Sequence, residues 1–533
     1  MNRKELAGML EHAADLMEVL GEGEFRALSY RKAARNLEKI ETGLEALAAE
    51  NFAGIPGVGK SLAPMLSEIV QTGEFPYLSE LEGRVPPGVQ EFFRVQGLGP
   101  KRIRALWENG VDSLEELIRR AEEGRLRSIP GFGAKTEAGL AEAARFALEG
   151  LRRVHLPVGL EAAKLLLADL AAFGIQAELS GSLRRGLETI GNVDLVALAE
   201  PSAVVKALGG YLELSEGNIV FGRLEGLPLK IFCADSKNYG TVLATSTGAP
   251  AFLENLGPLP PASDEVSLFR LLARSYVPPY WREIEHMGLE PPSELINQDD
   301  LLGLIHCHTT YSDGTASLGQ MAEAAIARGY QYMVLSDHSQ SAPYAGGLKP
   351  ADLERQWAEA DKLNSELTPF RILKSIESDI LPDGSLDYPE EILSRFDLVI
   401  GSLHSGFTLS REEQTARLLR AIENPYLSIL GHASGRLLLR RKGVDADWER
   451  ILDRAAERGV IIEFNCNPYR LDLDWRLMLT YRQRLKFSLG PDAHNLEGME
   501  DVSYGLMFAR KAGLAKKDLV NTWTANQLLQ KRR

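Results

Sequence analysis

Six of the chain's nine histidines stand at or just past short apolar runs from residue 303 onward. His306 and His308 follow Gly303-Leu304-Ile305, His338 follows Met333-Val334-Leu335, and His404 follows Leu398-Val399-Ile400. His432 follows Ile429-Leu430-Gly431, and His494 follows Phe487-Ser488-Leu489-Gly490. Acidic residues occupy equivalent places: Asp313 in Tyr311-Ser312-Asp313-Gly314, Glu377 in Ile376-Glu377-Ser378-Asp379, and Asp492 in Pro491-Asp492-Ala493-His494. Short apolar strands that alternate with helical stretches and end on polar residues predict a β/α barrel with its site at the strands' C-terminal ends. Residues i and i+2 of a strand share a face, so His306 and His308 are expected to reach one metal together, as are Asp492 and His494. One histidine at such a place is ordinarily structural; six of them with three carboxylates point to a metal cluster. Cys307 is expected to face the core.

At 533 residues the chain is long enough for about three to five domains. Its 44% apolar and 25% charged residues exclude a disordered, collagen-like or disulfide-scaffold chain. The three cysteines are far apart, which gives no disulfide framework and no Cys-x-x-Cys zinc pair, and a cytoplasmic location is expected. The charged amphipathic start is not that of a signal peptide, and no run is long enough to span a membrane. A net charge of −14 argues against a basic DNA-binding surface, so any nucleic-acid function must rest on local motifs.

Residues 1 to about 150 are patterned as helices, and one unit repeats within them. It occurs as Ile55-Pro56-Gly57-Val58-Gly59-Lys60, Val95-Gln96-Gly97-Leu98-Gly99-Pro100-Lys101 and Ile129-Pro130-Gly131-Phe132-Gly133-Ala134-Lys135. Gly-apolar-Gly before a helix start leaves backbone amides open to an anion and lets another backbone approach closely. Such amides grip a phosphate without reading a base. Three copies resemble the helix-hairpin-helix DNA-binding motif, with Gly57, Gly59, Lys60, Gly97, Gly99, Lys101, Gly131, Gly133 and Lys135 as the DNA contacts. Arg102, Arg104, Arg119, Arg120, Arg125 and Arg127 are expected to add local positive charge. From about 151 to 245 the pattern changes to strands, at 176–181, 193–198 and 229–233, and residues 248–262 are expected to form a loop or linker.

Gly181-Ser182-Leu183-Arg184-Arg185, then Gly191-Asn192-Val193-Asp194-Leu195, resembles the palm of family X DNA polymerases. The resemblance implies that Gly181, Ser182, Arg184 and Arg185 hold a nucleoside triphosphate, and that Asp194 is one of three metal-binding carboxylates. Asn192 and Lys230 stand at the positions of the other two, which puts magnesium or manganese binding there in question and implies weak or lost polymerisation. Glu188 and Asp235 are the candidates to compensate. Met65 stands where the family's sugar-phosphate lyase lysine lies, so that activity is not expected. The thumb is shortened.

The histidine and carboxylate set resembles the polymerase and histidinol phosphatase (PHP) family, whose barrel holds three metals. The resemblance implies one metal on His306, His308, Glu377 and Asp492. It implies a second on Glu377, His404 and His432, and a third on Asp313, His338 and His494, with manganese or zinc as the ions. Glu377, Asp492 and Asp194 are the implied catalytic carboxylates, and Arg436 and Arg470 are candidates for substrate phosphate. The expected organisation is a helical domain at 1–80 with the first hairpin, a second at 81–150 with the other two, a palm at 151–247, a thumb and linker at 248–295, and a PHP domain at 296–533. The fold class is thus multidomain: all-α hairpins, an α+β nucleotidyltransferase-like palm, and a distorted (β/α)7 barrel. A linker at 285–300 is expected to allow relative motion.

This combination predicts a monomeric DNA-repair protein that binds gapped, nicked or 3′-recessed duplex. It would trim 3′ ends as a metal-dependent exonuclease, with abasic-site cleavage as an associated activity. An active gap-filling polymerase, a histidinol phosphatase-like enzyme and a non-catalytic DNA scaffold are the alternatives; only the first needs a nucleoside triphosphate.

Overall fold

The computed structural model describes residues 3–37 and 44–530, and the chain divides into two compact units, Met1–Arg152 and Arg153–Arg533. The first unit has no strand among its described residues. Its core is built from apolar faces that recur at helical spacing, such as Leu6, Leu10, Ala13 and Met17 of the helix Arg3–Leu20.

The second unit opens with a small antiparallel pair, β1 (Val154–His155) and, further on, β3 (Thr189–Ile190). Beside it lies a five-stranded sheet of β2 (Ala177–Leu179), β4 (Val193–Leu198), β5 (Leu212–Glu216), β6 (Ile219–Leu224) and β7 (Leu227–Ala234). The sheet order is β2-β4-β7-β6-β5, and β4 runs parallel to β7 with Asp194 opposite Lys230. The stretch expected to be a loop at 248–262 instead starts with a helix, Pro250–Leu256. Pro250 occupies the first helical turn, where its missing N–H is not needed, and Phe252 and Leu256 bury one face.

The barrel strands are all parallel. They are β8 (Gly303–Cys307), β9 (Tyr332–Leu335), β10 (Arg371–Lys374), β11 (Glu377–Asp379), β12 (Ile400–Ser402), β13 (Ile429–Gly431), β14 (Ile461–Asn465) and β15 (Phe487–Gly490). β10 pairs with β9 and β11 with β12, so one broken strand passes between two sheets and leaves seven strand positions. A helix follows each position, from Leu318–Ala327 to Val502–Lys511. The interior floor is apolar, with Ile305, Val334, Leu373, Ile400, Ile429 and Ile461, and Val520 and Leu528 of the C-terminal segment close it from below. Asn521 fastens the seam between β8 and β15. Its side chain donates to Gly303 O at 3.1 Å and Leu489 O at 2.9 Å, and accepts from Leu489 N at 2.7 Å.

The linker expected near 285–300 is anchored where it leaves the thumb. Trp281 is buried in the same core as palm and barrel residues. His286 stacks between Trp281 and the barrel's Trp475, at centroid distances of 4.0 and 5.1 Å, and its Nε2 lies 2.8 Å from Lys511 O. Burial here lowers the His286 pKa to about 4, so the ring is neutral at physiological pH. Lys511 is fully buried and donates to Arg185 O at 2.8 Å and Glu283 at 3.1 Å. Arg476 spans to Glu285 at 2.6 Å and Glu188 at 3.1 Å. Palm and barrel therefore share one core, with charged groups paired across their junction.

Trp281→Ala should destabilise this unit by about 3–5 kcal/mol in urea unfolding, the usual cost of emptying a buried tryptophan site. Ile284→Ala, at a side chain that is 62% exposed, should cost less than about 0.5 kcal/mol.

Candidate metal centre

All nine expected ligands converge at the C-terminal ends of the barrel strands. Among the described residues, three groups of ligand atoms lie within 4.8 Å of one another: His306, His308, Glu377 and Asp492; His308, Asp313, His338 and His494; and His338, Glu377 and His404. His432 Nε2 joins the last at 2.7 Å from Glu377 Oε1. Glu377 is the hub, since His404 Nε2 stands 3.2 Å from Oε1 and His338 Nδ1 2.9 Å from Oε2. His308 and His338 each bridge two groups, so the sets interpenetrate more than the resemblance implied.

Strand alternation alone does not aim His306. The β8–β9 register shifts between Leu304 and Cys307, and His306 has a φ of 74°. Leu304 and Cys307 pack in the helix-side core with Leu318 and Met321, whereas Ile305 faces the barrel interior. The bulge thus sends Ile305 and His306 inward in succession, an arrangement that re-aims a side chain. Without it, His306 would share the face of Leu304. His432 and Asp492 also have positive φ, 21° and 55°. Strained backbone at three ligands is what a functional site holds in place through its surroundings.

The electrostatics suit cations. Burial pushes Glu377 and Asp492 up, but the surrounding imidazoles hold both well below the ordinary carboxylate range. Burial, with His494 and His338 beside it, lowers His308 to about 3, so it is a neutral ligand. His306 Nε2, both ring nitrogens of His308 and His432 Nδ1 are buried without a hydrogen bond. Around the first two of these rings, carboxylate oxygens stand 3.1–3.9 Å away. Nitrogens gathered near carboxylates but not aligned to donate to them are arranged to share a cation, and a mixed imidazole and carboxylate set fits a divalent transition metal. Asp313 and His494 have side chains 37% and 35% exposed, so this edge is the open one.

Residues 305–467 match the PHP domain family, residues 1–75 a helix-hairpin-helix domain, and residues 89–145 a SAM-like helix-hairpin-helix tandem. A DNA polymerase/3′-5′ exonuclease PolX of Bacillus subtilis is 31% identical over 560 residues, covering 98% of this chain and 97% of that protein. The chain belongs to the PolX family. Two proteins named probable phosphatase are more partial relatives. One, from a Thermoanaerobacter species, is 29% identical over 229 residues, 41% of this chain and 89% of its own. The other, from Caldanaerobacter subterraneus, is 33% identical over 175 residues, 31% of this chain and 62% of its own.

The three hairpins share one backbone. Gly57, Gly97 and Gly131 have φ of 95°, 89° and 91°. Val58 N, Leu98 N and Phe132 N donate to Ile55 O, Val95 O and Ile129 O at 3.0, 3.1 and 3.2 Å. A Cβ built on Gly59, Gly99 or Gly133 would meet nothing within 4 Å, so the chain's own packing does not require glycine there. Lys60 and Lys101 are exposed, and the Lys135 side chain lies outside the described residues. The expected basic surface is mostly neutralised: Arg104, Arg119, Arg120, Arg125 and Arg127 pair with Glu108, Glu116, Glu123 and Glu137. Arg102 instead donates to Gly97 O at 3.1 Å.

In the palm of this PolX-family chain, the residues expected at a triphosphate are engaged within the protein. Arg184 pairs with Glu265 at 2.9 and 3.0 Å, and Arg185 with Glu283 at 2.9 Å, so both arginines of the phosphate turn face carboxylates. Gly181 packs so tightly that an added Cβ would collide with Asp194 Oδ2, while Ser182 is part of the same turn. Asp194 accepts a hydrogen bond from Asn192. Burial raises its pKa, against Lys230 beside it. Lys230 Nζ lies 5.8 Å from the ring centres of both Phe221 and Phe232. The proposed compensators are otherwise engaged, Glu188 by Arg476 and Asp235 by the amides of Lys237 and Asn238.

Sequence reasoning missed the residues that hold the ligands. Asp379 lies 2.5 Å from His404 Nδ1. Asp337 accepts from Thr309 N and Oγ1 at 2.7 Å and from Ser312 at 2.5 Å, fixing the loop that carries Asp313; burial raises its pKa to about 6. Glu463 lies 2.5 Å from His306 Nδ1. Its signal was a charge inside the apolar run Ile461-Ile462-Glu463-Phe464.

Mn²⁺ at about 100 times its Kd should stabilise the chelator-stripped protein by about 2.7 kcal/mol, read as a raised Tm. The His306→Ala/His308→Ala variant should lose most of that rise.

Proposed function

We propose that the chain is a DNA-repair enzyme that holds gapped or nicked duplex through its hairpins and removes 3′-terminal nucleotides in the barrel. The carrying observation is the convergence of nine ligands, with unpartnered ring nitrogens among them, in a chain that aligns end to end with a polymerase/exonuclease. We assign one metal to His306, His308, Glu377 and Asp492, a second to Glu377, His404 and His432, and a third to Asp313, His338 and His494, with manganese or zinc as the ions. Bound there, the ions would supply an activated water and neutralise charge on the scissile phosphate.

The chain's own groups do the rest. Glu377 and Asp492 stay ionised and fix the spacing of the ligands. Asp313 and His494 leave the centre open on one side, where a strand end can enter. Arg470 Nε stands 3.7 Å from Asp492 Oδ2, and we place Arg470 on the substrate phosphate. Arg436 plays a supporting part, since it bonds Arg470 O at 2.9 Å and Asp474 at 3.1 Å and so shapes the loop that carries Arg470. The hairpin amides beyond Gly59, Gly99 and Gly133 would take DNA phosphates, with Lys60, Lys101 and Lys135 alongside.

In the palm, Lys230 beside Asp194 puts a fixed positive charge where the family resemblance calls for a carboxylate, which supports a holding module with weak or lost nucleotidyl transfer. A triphosphate at Gly181-Ser182 would have to draw Arg184 and Arg185 from Glu265 and Glu283, so we assign none. A gap-filling polymerase would require a second carboxylate at Asp194. A small-molecule phosphatase would have no use for three hairpins, and a pure scaffold none for nine ligands. The reading carries a cytoplasmic, monomeric protein; among the described residues no helix is long and apolar enough to cross a membrane.

On a 5′-labelled gapped duplex with Mn²⁺, primer shortening should persist in Asp194→Ala and vanish in His306→Ala/His308→Ala. Nucleotide-dependent extension that disappears in Asp194→Ala would overturn the palm assignment. Gly99→Ala/Gly133→Ala should leave the Tm unchanged but weaken duplex binding about tenfold, about 1.4 kcal/mol, in fluorescence anisotropy.

A further inference from the structure

We infer that Glu463, on β14, is the positioning residue that sets the first metal group, an inference that rests on the barrel binding metal as proposed above. Glu463 is fully buried in the barrel interior beneath the ligands. Its Oε2 lies 2.5 Å from His306 Nδ1, and its Oε1 accepts from His432 N at 3.1 Å. Asn465 Nδ2 donates both to Glu463 Oε1 at 3.2 Å and to Asp492 Oδ2 at 3.1 Å. One carboxylate therefore reaches His306 by its ring, His432 by its backbone and Asp492 through one amide.

These are the same three ligands whose backbones have positive φ. A non-glycine residue in that region costs free energy unless its surroundings hold it there. Glu463 is the group common to all three. Room for it is built in: a Cβ on Gly490 would meet Glu463 Oε2 at 2.5 Å, and one on Gly431 would meet Oε1 at 3.8 Å.

The chemistry follows from the proton on His306. With Nδ1–H donated to Glu463, Nε2 is the ring nitrogen turned toward Glu377 and Asp492, at 3.6 and 3.5 Å, and is the one a metal would take. A carboxylate behind a metal-ligating imidazole fixes its tautomer and raises its basicity. In Glu463→Gln the amide oxygen must still accept from His432 N and Asn465. The amide NH₂ then faces His306 Nδ1 and favours a proton on Nε2, where the metal should bind. Glutamine has the same shape, so packing is preserved.

The test is Mn²⁺ uptake by the full chain, as bound metal per protein after equilibrium dialysis, alongside thermal melts of the stripped protein. Glu463→Gln should require about 10- to 100-fold more Mn²⁺ to fill one site, with the remaining sites and the metal-free Tm unchanged. Gly490→Ala, which displaces the carboxylate without removing its charge, should show the same loss. His306→Ala should lose that site altogether. Uptake by Glu463→Gln that superimposes on wild type overturns the inference, and so does a metal-free Tm that falls as far as the metal-loaded one, since that marks a purely structural role. Wild type that takes up no Mn²⁺ removes the metal centre itself and this inference with it.

Discussion

The barrel is organised around one charge problem. Glu377 and Asp492 are carboxylates buried at the top of an apolar barrel, and imidazoles surround them. Burial alone would neutralise them; the neighbouring rings keep them ionised. Against burial, the carboxylates in turn raise the pKa of His306, His404 and His494, so these rings carry the balancing protons. Divalent cations would replace those protons, and much of the surrounding structure keeps the ligand groups in reach.

That support comes in layers. Below the ligands, the barrel interior narrows to Ser402, Gly431, Glu463, Ser488 and Gly490, small residues around one long acid. Below them lies the apolar floor, and Asn521 ties the seam between β8 and β15. Asp337 and Asp379 brace the outer ligands from the side. Ligand groups at or next to strand ends are held more firmly than groups carried far out on loops would be.

Much of the centre was legible in the sequence because its ligands interrupt apolar runs at strand ends. All nine are brought together. Strand parity explains the pairing of His306 with His308 only in part: it takes no account of the bulge in β8, and a bulge is set by backbone torsion rather than by a visible pattern. Glu463 is hard to see because its neighbours mark a core strand. Arg184 and Arg185 carry the phosphate-turn pattern, but their partners Glu265 and Glu283 lie about 80 to 100 residues away, a distance over which local pattern says nothing. The same holds for the stretch around Trp281 and His286, whose proline-rich surroundings suggest a linker while its aromatic residues bind it to the barrel.

The palm–barrel core also bears on how such a chain can change over generations. Leu195 and Ile231 of the palm sheet, Trp281 of the thumb and Trp475 of the barrel belong to one continuous core. Cutting away the palm and thumb would uncover the barrel's flank and strand Lys511 and Arg476 without Glu283, Glu285 and Glu188. A palm with Asn192 and Lys230 beside Asp194 is therefore not free to be discarded. Selection on the fold of the barrel alone is enough to keep the palm in the gene.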